Sequence, residues 1–184
     1  MSLSIKIVTT ANSTRHFHQS DEKQVAYSVS ALTGVTNVYA GASLVFSSNL
    51  QSEIFSPRRI ALIELAGETV PAPRAGQGNT EITAIGDDDA TPEYNLFGEE
   101  YGTFRVDFFF VGGYVLRTKV IVDNTEATFA DRTWRIAQLF ETPLIWYRSA
   151  NGGVGLINPS TLTRAIITPG GEVVPADAHI VDDY

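Results

Sequence analysis

The sequence contains no cysteine, and lysine is scarce: Lys6, Lys23 and Lys119 are the only three. The absence of cysteine excludes disulfide bonds, thiolate metal sites and cysteine nucleophiles, and it fits a reducing compartment. With 21 acidic and 13 basic residues, the chain has a net charge of -8. A lysine-poor, acidic chain is poorly suited to binding nucleic acid through its phosphates.

Long apolar runs are also lacking. The longest, Phe108 to Leu116, is about half as long as the roughly 18 residues that a membrane-spanning helix requires. The first ten residues, MSLSIKIVTT, have no apolar core of the kind found in a signal peptide. We therefore expect a soluble protein without membrane or nucleic-acid partners, located in the cytoplasm unless it is part of a virion.

The 184 residues, of which 43% are apolar, suit a single domain with its own core. Apolar residues alternate with polar ones, and turn residues recur about every ten positions, which is typical of an antiparallel β-sandwich or β-barrel. The alternation does not distinguish these two architectures. The predicted strands are Ser4–Thr10, Gln24–Ser30, Val38–Phe46, Arg59–Ala66, Thr80–Ile85, Thr103–Val111, Tyr114–Asp123, Leu144–Arg148, Val154–Ile157, Thr161–Thr168 and Glu172–Val174.

One short helix is predicted near residues 128–141. Phe129, Thr133, Ile136 and Phe140 recur at helical spacing, and Pro143 ends the pattern. A strand through the same residues is the alternative. The chain is thus predicted to be mainly β, with one helix.

The clearest local unit is the predicted hairpin TFRVDFFFVGGYVLRTKVIVDN, residues 103–124. A three-residue loop, Gly112-Gly113-Tyr114, collects the apolar residues on one face and sets Asp107 opposite Lys119. The predicted core face consists of Phe104, Val106, Phe108, Phe110, Leu116, Thr118, Val120 and Val122.

The opposite face of this hairpin mixes charged residues with apolar ones. Another strand or a loop could cover it, or it could be a subunit interface, because apolar patches rimmed by charge often mark contacts. We predict an interface with other copies of the chain or with neighbouring proteins. Its predicted residues are Phe109, Val111, Tyr114, Val115 and Ile121.

Three segments are predicted to be extended loops: residues 67–79, residues 86–95 and the C-terminal tail PADAHIVDDY. Loops of this length often carry function, and such segments can order on a neighbouring molecule. The predicted organisation is therefore one β domain, residues 1–184, with extended arms.

Two clusters could bind a metal ion. His16 and His18 would lie on the same face of a strand, but the surrounding residues are typical of a turn. Asp87, Asp88 and Asp89 could bind calcium through carboxylates, although their spacing matches no EF-hand. We expect surface histidines and a solvated acidic loop, and predict no metal or other cofactor.

Catalytic motifs are not found in the sequence. There is no Gly-x-Ser-x-Gly elbow and no serine, histidine and aspartate in a recognisable order. Trp134, Trp146 and Tyr147 could form a sugar-binding platform, but aromatic residues in a β-rich chain are more often part of the core.

The chain resembles bacteriophage virion structural proteins. The resemblance is carried by ITAIGDDDATPEYNLFGEEYGTFRVDFFFVGG and by GGVGLINPSTLTRAIITPGGEVVPADAHIVDDY, with their glycine-rich turns and acidic arms. It implies a β-sandwich or barrel that self-assembles or decorates a capsid.

The leading hypothesis is therefore a non-enzymatic assembly protein, such as a phage tail, adaptor or capsid-decorating subunit. The first alternative is a carbohydrate-binding β-sandwich assisted by calcium at residues 87–89. The second is a metalloenzyme that uses His16 and His18.

Overall fold

The structure is a computed structural model in which residues 1–48, 50–73, 80–86, 101–123, 136–168 and 179 are described. These residues form one long helix, α1 (Glu22–Thr33), and residues 136–139 are also helical. None of the described helices is long and apolar enough to cross a membrane. The strands are β1 (Leu3–Thr9), β2 (Thr14–Gln19), β3 (Leu44–Ser47), β4 (Ser52–Phe55), β5 (Ile60–Gly67), β6 (Thr80–Ala84), β7 (Tyr101–Phe110), β8 (Val115–Asp123), β9 (Ile145–Arg148), β10 (Val154–Ile157) and β11 (Leu162–Thr168). The predicted mainly β class is confirmed.

Nine of the strands form one sheet, in the order β11-β7-β8-β6-β9-β10-β5-β1-β2, while β3 and β4 form a separate hairpin. All neighbours in the large sheet are antiparallel except β6 and β9, which run parallel. The sheet is therefore mixed rather than wholly antiparallel. Within the described residues, β2 and β11 each pair along one edge only, so the sheet is open.

The sheet curls strongly. Five strand spacings separate β8 from β1, which would be about 24 Å in a flat sheet with strands 4.8 Å apart. Yet Lys6 Nζ, on β1, lies 5.9 Å from the centre of the Tyr114 ring, next to β8. The two halves of the sheet therefore face each other across a concave interior.

Two apolar clusters follow from this curl, one on each face. The concave cluster includes Val8, Phe104, Phe108 and Ile145. The convex cluster packs beneath α1, the 3₁₀ turn at Val38–Ala40 and the β3–β4 hairpin. Alternation along each strand sends successive side chains into the two clusters, so much of the sheet is buried on both faces.

The hairpin of β7 and β8 confirms the predicted core face but corrects its loop. All eight predicted core residues are buried. The loop, however, is Val111-Gly112-Gly113, because the Phe110 amide donates to the Tyr114 carbonyl oxygen. Asp107 consequently lies opposite Arg117 rather than Lys119. A shift of two residues keeps every side chain on its predicted face.

The predicted strand at 24–30 is wrong, because this segment lies in α1. Asp21 caps the helix: its side chain accepts a hydrogen bond from the Gln24 amide at 2.9 Å. Val25, Val29 and Leu32 all belong to the convex cluster, at the three- and four-residue spacing of an amphipathic helix. The chain therefore contains a helix besides the one predicted near 128–141. Of that predicted helix, residues 128–135 lie outside the described ranges and residues 136–139 are helical.

The segment from 38 to 55 also differs from the prediction. A 3₁₀ turn occupies Val38–Ala40, and β3 begins only at Leu44. Neither β2 nor β4 was predicted. The predicted strand at Glu172–Val174 lies outside the described residues.

Candidate functional site

Within the described residues, strand β2 is an edge strand whose outer backbone groups have no strand partner. The Thr9 amide donates to the Ser13 carbonyl oxygen at 2.9 Å, and hydrogen-bonded pairs alternate along an antiparallel ladder. The backbone groups of Thr14, His16 and His18 therefore point away from β1. Among the described residues, no strand pairs with this outer edge.

A groove of about 680 Å³ runs along β2 and is walled by α1 and the β3–β4 hairpin. Its volume lies within the usual range of binding pockets. The side-chain oxygen Oε1 of Gln19 is buried and accepts no hydrogen bond within the described part of the chain. We call this site the edge groove; it is lined by Thr14–Gln19, Gln24, Tyr27, Ser28, Val45, Phe46, Ser47, Ser48, Gln51 and Glu53.

The β3–β4 hairpin is anchored to β2 by its inner face. Phe46 stacks on Phe17 with ring centres 4.4 Å apart, and Phe55 meets both rings edge-on. Arg15 Nε donates to Glu53 Oε2 at 2.9 Å, and the hydrogen bonds and charge of Arg15 hold the pKa of Glu53 below its usual value. These contacts fix the hairpin as one wall of the edge groove.

The outer face of the same hairpin is apolar and exposed. Val45 and Ile54 are cross-strand partners, with 56% and 72% of their surfaces exposed, and Leu50 at the tip is 97% exposed. Ser47 and Ser52 complete this face. We call these residues the hairpin patch. The prediction from sequence missed it because β4 was not recognised as a strand.

The predicted interface residues are only partly brought together. Phe109, Val115 and Ile121 lie half-buried on one face of β7 and β8, and the guanidinium group of Arg164 lies over the Phe109 ring at 4.2 Å. Val111 is in the turn. Tyr114 lies on the concave side, packed against Phe110 and the concave cluster. Whether this face is an interface stays a prediction.

His16 and His18 do lie on a strand, contrary to the turn expected from their neighbours. Both are exposed on one face of β2. The nearest acidic residue in sequence, Asp21, is used as the helix cap. No group of three metal-binding side chains occurs within the described residues.

Two other predicted sites cannot be compared with the structure in full. Asp87–Asp89 and Trp134 lie outside the described residues. Of the sugar-platform residues within them, Tyr147 is completely buried in the concave cluster and Trp146 packs against the convex cluster. Trp146 and Tyr147 therefore face opposite sides of the sheet and do not form one platform.

A row of polar side chains crosses the concave face. Lys6 Nζ lies 3.0 Å from Glu64 Oε2, and the buried Tyr147 hydroxyl donates to Glu64 Oε1 at 2.7 Å. Gly155 lies between β5 and β9, and a side chain there would collide with the Tyr147 ring. These contacts give hydrogen-bond or charge partners to the side chains of Lys6, Glu64 and Tyr147, which would otherwise be costly to bury.

This polar row shifts two pKa values upward. Burial alone would lower the pKa of Lys6, but the charge and hydrogen bond of Glu64, together with Tyr114, raise it above its usual value. Burial first, and then the charge of Glu64, raise the pKa of Tyr147 well above its usual value. Both groups bind their protons more tightly in the folded chain than in the unfolded one.

Alkaline conditions should therefore destabilise the fold. This stabilisation is complete below the unfolded pKa values of about 10. It is lost as the pH rises from the unfolded pKa values through the folded ones, because the unfolded chain releases these protons at a lower pH than the folded chain does. Urea unfolding between pH 8 and 11.5 measures the loss. The Tyr147→Phe variant should lose less stability above pH 10 than the wild type does, whereas Tyr27→Phe, at an exposed tyrosine, should match the wild type. Equal pH dependence in all three would contradict the assignment.

Comparisons of the chain with protein-family models, with curated proteins and with solved structures gave no match.

Proposed function

We propose that the chain is a non-enzymatic assembly protein whose copies associate through the hairpin patch. The observation that supports this is the exposed pair Val45 and Ile54, continued by Leu50 at the tip. Contiguous exposed apolar surface is unusual on a soluble protein and often marks an interaction site.

A second copy of the chain can be the partner because the hairpin patch itself is uncharged. With a net charge of -8, copies repel one another across most of their surfaces. The hairpin patch carries no charged side chain, because Glu53 points to the inner face and pairs with Arg15. An uncharged apolar face can pack against its own copy across a two-fold axis, as most homodimers do.

The setting that we propose for this assembly is a phage virion, where the protein would serve as a tail, adaptor or capsid-decorating subunit. The support for this setting is the resemblance of the sequence. The surface geometry supports association itself, whatever the larger particle.

Sedimentation velocity of the full chain over a range of concentrations tests the proposal. The wild type should form a dimer or larger oligomer. Val45→Thr combined with Ile54→Thr should weaken association at least tenfold, because apolar burial is lost while a Thr pair suits a β-hairpin. The melting temperature of each variant shows whether the monomer stays folded.

A matched variant separates the two candidate surfaces. Phe109→Thr combined with Val111→Thr makes the same kind of change on the face predicted from sequence, and it should leave association unchanged. If only this second variant dissociates, the interface is the β7–β8 face and the hairpin patch is wrong. A wild-type chain that stays monomeric at all concentrations would overturn the assembly function.

Native mass spectrometry of the same samples addresses the enzymatic alternative. The proposal expects a spectrum without stoichiometric metal. A bound ion that disappears in His16→Ala would instead favour a metal site on β2.

A further inference from the structure

We propose that the edge groove binds a neutral oligosaccharide, held by uncharged polar side chains of α1 and β2 and by the outer backbone edge of β2. This binding activity goes beyond the proposed assembly function and does not depend on it. The groove shares Val45 and Ser47 with the hairpin patch, so the experiments that test it alter only residues outside that patch.

One face of α1 presents polar side chains to the groove. Gln24, Tyr27 and Ser28 line it, and their spacing of three and four residues places them side by side on the helix surface. Within the described part of the chain, none of these three side chains makes a hydrogen bond; only the backbone amide of Gln24 is engaged, by the helix cap. The helix therefore offers one amide and two hydroxyl groups to a ligand.

The opposite wall supplies further hydrogen-bonding groups. Arg15, Phe17 and Gln19 are the β2 side chains on the side of α1, because their partners on β1 belong to the convex cluster. The buried Oε1 of Gln19 accepts no hydrogen bond within the described residues, and a sugar hydroxyl is a donor that would complete it. His16 and His18 face the concave side of the sheet, so they contribute only their outward backbone groups.

The groove carries no unpaired charge on the side of α1. Its two charged side chains there, Arg15 and Glu53, pair with each other. A charged ligand would therefore have to displace an existing ion pair. Amide and hydroxyl groups, by contrast, both donate and accept hydrogen bonds, and a neutral ligand rich in hydroxyl groups matches them.

The shape of the groove indicates a chain of linked sugars rather than a single one. The groove follows all six residues of β2, which corresponds to about 20 Å at the rise of a strand. The ring of Tyr27 is 71% exposed at its side and offers a flat apolar surface on which the C–H face of a sugar can stack. An oligosaccharide presents hydroxyl groups and C–H faces together, as this lining requires.

An extended peptide is the competing occupant, because it would pair with the free edge of β2. Strand addition usually takes its specificity from pockets for alternate side chains. Here Phe17 and Phe46 stack on each other, with ring centres 4.4 Å apart, and the facing side chains of α1 are polar. These walls suit hydroxyl groups better than they suit apolar side chains.

Calorimetric titration of the full chain with neutral hexasaccharides tests the proposal. The probes are maltohexaose, cellohexaose, mannohexaose and the hexamer of N-acetylglucosamine. We expect saturable binding of at least one of them, unchanged by EDTA because no metal takes part, and unchanged by salt because no net charge does. Absence of binding to all four would overturn the proposal, and so would binding that EDTA abolishes.

Variants of α1 locate the bound sugar. Tyr27→Ala should weaken binding about tenfold or more, because stacking is lost, whereas Tyr27→Phe keeps the ring and should weaken it less than about threefold. Gln24→Ala should weaken binding about fivefold, because one hydrogen bond is lost. Lys23→Ala, at an exposed position of α1 outside the groove, is the matched control and should bind like the wild type.

Circular dichroism establishes that these variants fold, since all three positions are exposed on α1. Wild-type affinity in both Tyr27→Ala and Gln24→Ala would place the sugar outside the groove and contradict the proposal. Tighter binding of the capped peptide Thr-Val-Thr-Val-Thr-Val than of every sugar would make the groove a strand-addition site instead.

The sugar titration and the association measurements give separate answers. In sedimentation velocity, Tyr27→Ala and Gln24→Ala should associate like the wild type, because neither residue belongs to the hairpin patch. A wild-type chain that stays monomeric but binds a hexasaccharide would overturn the assembly function and support the groove. A chain that associates but binds no hexasaccharide would do the reverse.

Discussion

Gly112→Ala should lower the free energy of unfolding by about 3 kcal/mol or more, whereas Gly113→Ala should lower it by about 1–2 kcal/mol. Both glycines have positive φ, 89° and 90°, so both variants carry the strain of a left-handed backbone. Only at Gly112 would an added Cβ meet another part of the chain, 1.9 Å from the Thr10 carbonyl oxygen. The turn would have to move away from the end of β1.

Urea denaturation of the two variants measures this difference. Gly113→Ala is the internal control, because no atom of the described residues lies within 4 Å of its added Cβ. The difference reports on one contact between the two halves of the curled sheet. Similar losses in both variants would show that the β7–β8 turn does not press on Thr10.

Glu64→Gln should lower the free energy of unfolding by about 2 kcal/mol. Glutamine has the same shape and can still accept the Tyr147 hydrogen bond. It removes the charge that compensates Lys6, whose side chain is only 29% exposed. A partly buried ammonium group without a counter-charge is costly, because it has lost water on one side without gaining an anion.

Glu81→Gln is the matched control, because Glu81 pairs with Arg148 at 3.5 Å with both side chains about half exposed. We expect a change within about 0.5 kcal/mol there. Adding Lys6→Met to Glu64→Gln should recover at least half of the loss, since the two residues form one interacting unit. Equal effects of Glu64→Gln and Glu81→Gln would contradict the importance of the polar row.

The sequence was sufficient to predict which side chains of β7 and β8 face the core. It was not sufficient to predict which residues pair across the two strands. Alternation along β7 and β8 separates core from surface in any register of the right parity, so the eight core residues between Phe104 and Val122 were assigned correctly. The partner of Asp107 depends on which three residues form the loop. Residues 111–113 and residues 112–114 are both suitable, so the sequence does not decide whether Val111 or Tyr114 belongs to the loop. In the structure Gly112 lies in the turn beside Thr10, a residue remote in sequence, and nothing in the hairpin's own sequence indicates that neighbour.

Helix α1 was missed although its signal is present. Asp21 followed three residues later by Gln24 is a variant of the capping box, and Val25, Val29 and Leu32 follow at helical spacing. Val25, Tyr27 and Val29 also alternate, and this second pattern was taken as a strand. The burial of Val25 and exposure of Tyr27 show which period governs the segment.

The edge groove could not be predicted because it is built from contacts between distant segments. Composition around His16 and His18 suggests a turn, and only pairing with β1 makes the segment a strand. The groove exists because Phe17 stacks on Phe46 and Arg15 pairs with Glu53, which brings the hairpin beside β2. Residue types alone do not encode that neighbour.

The place of β9 and β10 in the strand order also determines when the fold can be completed during synthesis. These two strands join β6 to β5, yet they are made long after β5, which ends at Gly67, since β10 begins only at Val154. The segment β5-β1-β2 and the segment β6-β8-β7 are therefore both synthesised before the hairpin that connects them. Because such non-local pairing must overcome a large loop-closure entropy, we expect the insertion of this hairpin to be the slow step of folding. Until it happens, one edge of β5 is left open on the newly made chain.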